Sequence, residues 1–200
     1  MMEIVDFLWI VPLTETLIDE SQDNLAVIDL SRNFRNAREI VKTTRSVADK
    51  TGYLCRQAII MPPTNFPTGC LPSFVESFED AMKEARKRTK NGVLIAFSIF
   101  EDIDYADYLN QTNEKWKMYC SHGNDFKENE NPYKFLQEGN VLIVDDIATY
   151  GFEWTTVIII EPRPGMAPGI SLHGCNLMMR CTTNLIVIRR NRGIISNLEF

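Results

Sequence analysis

The alternation of apolar and polar segments along the chain predicts an α/β protein. Apolar residues recur at helical spacing in several segments, as in Phe74, Phe78, Ala81, Met82 and Ala85. Between such segments lie short runs rich in β-branched residues, which predict buried strands at Val93–Phe97, Val141–Val144, Val157–Ile160 and Leu185–Ile188. Strands that alternate with helices are typical of a three-layer domain with a mostly parallel sheet.

Caps and apolar stripes set approximate bounds for the helices. We predict a helix over residues 37–49, with Asn36 as its N-cap and an apolar side at Val41, Thr44, Val47 and Ala48. A second helix is predicted to begin at the capping box Ser73–Glu76 and to end before Asn91–Gly92. Further helices are predicted over residues 103–119, over residues 133–137 and at the end of 170–180.

Composition limits the class of protein more than its function. The chain has 200 residues and a net charge of −6, so bulk charge does not indicate a nucleic-acid surface. Five cysteines form no CxxC pair, which favours reduced thiols in an intracellular protein, in the cytoplasm or the nucleus. The two histidines do not predict a metal site, and no apolar run approaches the length of a membrane span.

An acidic pair follows the predicted strand Val141–Val144, at the edge where open α/β sheets bind ligands. Four apolar residues, Asp145 and Asp146 and a turn of small residues resemble the phosphoribosyltransferase signature. That resemblance implies that both carboxylates hold the ribose hydroxyls of a phosphoribosyl diphosphate. The family continues from the turn into a helix, whereas Thr155–Ile160 has the β-branched sequence of a strand.

A second resemblance covers more of the chain, roughly residues 25–190. Leu30–Ile40 (LSRNFRNAREI) is similar to the Leu-x-x-Asn-Tyr-Arg-Ser segment of superfamily 1 helicases of the UvrD and Rep type. Asp146–Ile158 resembles their Lys-Gly-Leu-Glu-Trp-Asp-x-Val segment, and Asn176–Ile188 resembles their final motif, Val-Ala-x-Thr-Arg-Ala-x-x-x-Leu. The three segments occur in the family's order.

This resemblance implies the second of two RecA-like domains that hold ATP between them. Residues 25–200 would form this domain, and residues 1–24 would be a lead-in or the remnant of a preceding domain. Arg35 would contact the γ-phosphate and Arg180 would be the arginine finger, because a guanidinium pairs with phosphate oxygens and keeps its charge. Gly151 would let the backbone approach the nucleotide, and Glu153 would bond the ribose or adjoining backbone.

The chain departs from the helicase pattern in ways that limit what it does alone. Tyr150 stands where the family has lysine, Met179 where it has threonine, and no GxxxxGK[ST] loop is present. We therefore expect ATP and its magnesium to bind only with a first RecA-like domain as partner, and the isolated chain to be inactive. It would be a fragment of a longer protein or a degenerate relative, with single-stranded nucleic acid as a further partner.

Two alternatives to the helicase interpretation stay open at this point. The first is a phosphoribosyltransferase that acts through Asp145 and Asp146. The second is a non-catalytic interaction module on the same α/β fold, in which Arg35 and Arg180 are paired with carboxylates of the domain.

Overall fold

The structure, a computed structural model, describes residues 33, 35–51, 59–97, 109–110, 114–121, 123–145, 148–149, 152–160 and 170–189. Three of the residues singled out from the sequence, Asp146, Tyr150 and Gly151, lie outside the described residues. The predicted lead-in at residues 1–24 also lies outside them.

Seven strands of the described chain form one sheet in the order β1-β7-β6-β2-β5-β3-β4. Neighbouring strands run parallel, except for the antiparallel pair of β3 and β4. This arrangement confirms the predicted α/β class with a mostly parallel sheet. The bounds are β1 Ser73–Val75, β2 Val93–Phe97, β3 Trp116–Cys120, β4 Gly123–Asn124, β5 Val141–Asp145, β6 Trp154–Ile160 and β7 Cys181–Ile188.

Helices cover both faces of the sheet and give the predicted three layers. The helices whose bounds lie within the described residues are α1 Arg38–Thr51, α2 Phe78–Arg88, α3 Pro132–Gln137 and α4 Ile170–Met178. Residues of α1, α3 and α4 share a core with Leu94, Val144 and Ile159 on one face, while α2 packs against Ile95 and Ile158 on the other. The apolar side predicted for the first helix, Val41, Thr44, Val47 and Ala48, is buried.

The structure confirms the four predicted strands. Their sequences suit strands that are buried on both faces of the sheet. All five residues of β2 and all five of β5 are buried. A buried Val, Leu or Ile side chain contributes about 1.5–3 kcal/mol relative to exposure, so continuous apolar runs define the middle of a parallel sheet. Successive residues of β2 and β5 face opposite cores, as the strand period of two requires.

The helix predicted over residues 103–119 was wrong at its end, because Trp116–Cys120 is the strand β3. This strand lies near the end of the sheet, and its residues are only half-buried. Trp116 and Met118 face one core while Tyr119 faces the other, which is a period of two. This segment pairs in parallel with β5, with Trp116 opposite Val141. Strand pairing therefore determines its conformation, even though its aromatic residues have helical spacing.

The second helix begins later than the predicted capping box. Ser77 is the N-cap of α2, and its Oγ accepts a 3.1 Å hydrogen bond from the amide of Asp80. Ser73 instead starts β1, paired with Ile186 of β7, and its hydroxyl accepts from Arg88 Nη2. Both serines have the Ser-x-x-acid pattern, but pairing with β7 places the first of them in a strand.

Candidate functional site

The strands β6 and β7 begin side by side, at what we call the amino edge of the sheet. Trp154, the first residue of β6, donates its amide to the carbonyl of Arg180 at 3.0 Å. Ala37, just before α1, donates its amide to the carbonyl of Thr182 at 2.9 Å. These two bonds bring together the segments that carry Arg35, Glu153 and Arg180, which are far apart in the sequence.

Arg35 and Glu153 form an ion pair at the amino edge. The distance from Nη1 of Arg35 to Oε1 of Glu153 is 2.9 Å, and the two side chains are 48% and 34% exposed. An ion pair of this exposure contributes at most about 1 kcal/mol, so a ligand can replace either partner at little cost. The structure thus joins two of the residues that the helicase resemblance selected.

An aromatic group from α3 supports the segment that carries Glu153. The amide of Glu153 donates to the hydroxyl of Tyr133 at 3.4 Å. The rings of Tyr133 and Phe152 are stacked, with centroids 5.0 Å apart. Trp154 donates its indole N–H to the carbonyl of Gly92 at 2.7 Å. Residues on both sides of Glu153 are therefore held by packing and hydrogen bonds, which restricts where its carboxylate can point.

Asn36 is fully buried and is not the N-cap that the sequence predicted. Its Nδ2 donates to the carbonyls of Met179 and Cys181, at 2.7 Å each. Its Oδ1 accepts from Asn33 Nδ2 at 3.1 Å and from Arg35 Nε at 3.4 Å. The side chain is oriented by groups distant in the sequence, which local capping patterns do not reveal.

The first amides of α1 are engaged by backbone carbonyls. Arg38 donates its amide to Pro67 at 3.1 Å and Glu39 to Thr68 at 3.0 Å, in addition to the bond from Ala37 to Thr182. A helix N-terminus binds phosphate through amides that have no other partner. At this edge the group suited to an anion is therefore the exposed guanidinium of Arg35 rather than the start of α1.

Arg180 lies in the turn between α4 and β7 and is partly buried. Its amide donates to the carbonyl of Leu177 at 3.1 Å, and the chain then enters the sheet at Cys181. Leu177 of α4 and Cys181 of β7 are both buried. Glu153, a carboxylate near Arg180, forms an ion pair with Arg35, so this pair by itself does not decide whether Arg180 is structural.

The opposite edge, where the parallel strands end, is the carboxyl edge, and Asp145 is buried there at 2% exposure. Its Oδ2 accepts from both the amide and the hydroxyl of Ser121, each at 2.6 Å. Its Oδ1 accepts from the amide of Ala148 at 2.6 Å. Three donors from the loops after β3 and β5 therefore occupy this carboxylate.

These contacts argue against the phosphoribosyltransferase alternative. A ribose-binding carboxylate must be accessible, whereas Asp145 is buried and engaged with its own loops. The phosphate-binding turn of that family leads into a helix, and here the chain continues through Phe152 and Glu153 into the strand β6. The described residues therefore match that signature in the apolar strand and depart from it in the element that follows the turn.

The thiol of Cys120, also at the carboxyl edge, has a pKa that its surroundings raise. Burial, and secondarily the charge of Asp145, raises the pKa of Cys120 to about 11. Burial alone raises the pKa of Cys175 to about 12, and it is also the largest cause of the pKa of about 12 for Cys181. None of these three thiols is suited to act as a nucleophile near neutral pH.

A surface cavity of about 340 Å³ lies between α3 and strand β3. Lys117 reaches across it, forms a 2.5 Å ion pair with Glu130, and lies 4.6 Å from the ring centroid of Phe126. The rings of Phe126 and Phe135 meet edge to face at 5.5 Å. The ion pair and the ring contacts account for this arrangement without a ligand, and the residues that line the cavity do not include Arg35, Glu153 or Arg180.

Among the residues that the structure describes, no group of three or more His, Cys, Asp and Glu side chains could hold a metal ion. In the same part of the chain, no helix is both long enough and apolar enough to cross a membrane.

Comparison with known proteins gives one type of match, at the level of fold. No protein-family model matches the chain, and no curated protein matches it. Among solved structures, it is similar to the crystal structure of the C-terminal domain of a possible DNA helicase from Lactobacillus plantarum WCFS1. The sequence identity is 14%, the match covers 84% of this chain and 94% of that one, and the TM-score is 0.56. The architecture of this chain fits a RecA-like fold.

Proposed function

We propose that this chain is a helicase-like C-terminal domain that contributes Arg35 and Arg180 to an ATP site completed by a first RecA-like domain. The observation that supports it is the convergence of three separate segments at the amino edge, where Arg35 meets Glu153 and Trp154 bonds the carbonyl of Arg180. Those segments are the ones selected by resemblance to UvrD- and Rep-type helicases. The similar solved structure is named as a helicase C-terminal domain. Nucleic-acid remodelling is the activity that such an ATP site would drive.

In this proposal the ion pair at the amino edge is the resting arrangement of the site. Glu153 holds Arg35 in place, and the γ-phosphate of ATP takes over the guanidinium when the first domain delivers the nucleotide. The exchange costs little free energy because both side chains of the pair are partly exposed. The carboxylate of Glu153 is then available to the ribose or to adjoining backbone, and Gly151 gives the nucleotide room.

Arg180 is proposed to stabilise the charge that develops on the transferred phosphoryl group. Its guanidinium keeps its charge at any physiological pH, and its fork matches the phosphate oxygens. The turn that carries Arg180 is tied to β6 and to Asn36, so its backbone is fixed before a nucleotide arrives. Magnesium would come with the first domain, whose P-loop holds the remaining phosphates.

The test is reconstitution with a first RecA-like domain that carries a GxxxxGK[ST] loop, taken from a longer transcript or a neighbouring chain. We expect no ATP turnover above background from this chain alone, because it has no phosphate-cradling loop. We expect turnover when both domains are mixed in the presence of single-stranded DNA or RNA. Turnover by this chain alone that is abolished by Asp145→Ala would contradict the proposal.

Arg35→Ala in the reconstituted protein tests the phosphate contact directly. We expect it to weaken ATP binding and to reduce turnover, by about 10²-fold or more in kcat/KM, since a charge-assisted bond to phosphate is lost. Arg45→Ala is the matched control, because Arg45 is an exposed arginine of α1. Equal effects of the two substitutions would remove Arg35 from the site.

The ion pair of Arg35 with Glu153 is an observation that favours the interaction-module alternative. In that case the arginines only stabilise the domain. A first domain that binds this chain tightly without any ATP turnover, and without sensitivity to Arg35→Ala, would favour this alternative over the ATP site.

A further inference from the structure

The buried amide of Asn36 lies between the two arginines of the proposed site. Its Nδ2 donates to the carbonyls of Met179 and Cys181, the residues on either side of Arg180. Its Oδ1 accepts from the Nε of Arg35. One side chain therefore contacts the guanidinium of one arginine and the backbone that carries the other.

The hydrogen-bonding capacity of this amide is fully used. A primary amide has two N–H donors and an oxygen that accepts two bonds. Asn36 makes both donor contacts at 2.7 Å and accepts from Arg35 Nε and Asn33 Nδ2, with no exposed surface. A buried polar side chain in this state resists displacement, because any movement leaves buried groups without partners.

The residue type matters because few side chains can bridge the two carbonyls. The helicase segment that this part of the chain resembles has serine at the position of Asn36. A serine hydroxyl has a single donor and a shorter reach, so it cannot bond both carbonyls at once. The double bridge to Met179 and Cys181 thus depends on a residue by which this chain departs from the segment that it resembles.

We propose that Asn36 is a positioning residue that fixes the spacing between Arg35 and Arg180, so that both guanidiniums meet the phosphates of one nucleotide. The inference rests on the proposed ATP site for its function. Its structural part, that one amide locks the two segments together, can be tested on this chain without a partner.

Hydrogen exchange tests the structural part. The amides of Ala37 and Trp154 report the linkage, since they donate to Thr182 and Arg180. In Asn36→Ala we expect both to exchange about tenfold faster or more, measured against the amides of β5 as reference for global unfolding. Asn36→Ser keeps one donor and changes the side-chain volume less, so it should give a smaller acceleration at the same two amides. This variant remains usable if Asn36→Ala does not fold.

Asn184→Ala is the matched control, because Asn184 is another buried asparagine of the same region and donates to Thr156 Oγ1 at 3.1 Å. It should leave the exchange of Ala37 and Trp154 unchanged relative to the β5 reference. Unchanged exchange in both Asn36 variants, or the same acceleration in Asn184→Ala, overturns the role of Asn36.

ATP turnover in the reconstituted two-domain protein tests the functional part. We expect Asn36→Ala to lower kcat by about 10- to 100-fold while KM for ATP changes by less than about threefold, since binding energy is kept and transition-state alignment is lost. The double variant with Asn36→Ala and Arg180→Ala should lose no more ATP turnover than Arg180→Ala alone. Full additivity overturns the proposal. No turnover with the wild-type chain overturns the ATP site itself, and the exchange result then decides the linkage alone.

Discussion

The two edges of the sheet use charged side chains in opposite ways. At the carboxyl edge Asp145 is buried and accepts three hydrogen bonds from nearby loops, so the acidic residue most suggestive of a ligand site is structural. At the amino edge the side chains of Arg35 and Glu153 are 48% and 34% exposed and form an ion pair with one another. A polar group with saturated, buried contacts stabilises the fold, whereas an accessible group can exchange an exposed ion pair for a ligand.

At the amino edge the backbone is fixed, while a charged side chain stays accessible. The backbone of the amino edge is fixed by the bond of Trp154 to Arg180 and by the bridge that Asn36 makes to Met179 and Cys181. Its charged side chain Arg35 remains accessible. A rigid frame with an accessible guanidinium is what electrostatic recognition of phosphate requires, because the frame need not reorganise when the ligand arrives.

Substitution at the amino edge should give the largest functional effect. In the reconstituted two-domain protein, Arg180→Ala should lower the rate constant of ATP turnover by about 10³-fold or more. Nucleotide affinity should change far less, because an arginine finger acts mainly on charge that develops in the transition state. Steady-state kinetics with parallel nucleotide titration separates the two quantities. Equal loss of binding and turnover, or no loss, would remove Arg180 from the mechanism.

Substitution at the carboxyl edge should instead affect stability. Asp145→Ala leaves two donors of Ser121 and the amide of Ala148 without their acceptor, and we expect the free energy of unfolding to fall by about 2–4 kcal/mol. Urea denaturation measures it. Ser121→Ala, which removes one of these bonds, should cost about 1 kcal/mol. If Asp145→Ala left the free energy of unfolding unchanged, the carboxylate would not be structural.

The thiol at the carboxyl edge reports the same burial by its titration. Burial and the charge of Asp145 disfavour the thiolate and raise the pKa of Cys120 from the ordinary 9.0 to about 11. Alkylation of Cys120, followed by peptide mass spectrometry, should therefore increase with pH up to about 11 rather than level off near 9. Asp145→Asn should move the midpoint down only in part, because burial is the larger cause. A midpoint near 9 in the wild-type protein would show that this edge is open to water.

The smallest effect should come from breaking the exposed ion pair. Glu153→Gln removes the carboxylate that faces Arg35, and we expect the free energy of unfolding to change by less than about 1 kcal/mol. The change should shrink further as salt concentration rises, because exposed pairs are screened. Thermal or urea unfolding at low and high salt measures both. A loss above about 2 kcal/mol would make the pair a structural element and favour the interaction module.

Much of the fold could be predicted from the sequence, because buried parallel strands have a clear local signature. The apolar runs of β2 and β5 and the apolar side of α1 contain enough information by themselves. Trp116–Cys120 could not be assigned in the same way, since a half-buried strand near the sheet's end has the mixed composition of an amphipathic helix. Its conformation depends on pairing with β5, which no local pattern records.

The candidate residues could be proposed from the sequence, but their arrangement could not. Resemblance selected Arg35, Glu153 and Arg180, and the structure places their segments at one edge. The contacts of Asn36 with Met179 and Cys181 join residues more than 140 positions apart, so local sequence suggested only an N-cap. The acidic residue Asp145 attracted a functional interpretation because burial and hydrogen bonding cannot be seen in the sequence.

The short strands at the two ends of the described sheet affect how this protein can associate with others. Outer strands with unpaired backbone groups recruit strands from other chains, and short outer strands limit that risk. Here β1 has three residues and β4 has two, so each offers only a few donors and acceptors to an incoming strand. Within the described sheet, a strand added beside β1 or β4 would therefore form few backbone hydrogen bonds with them.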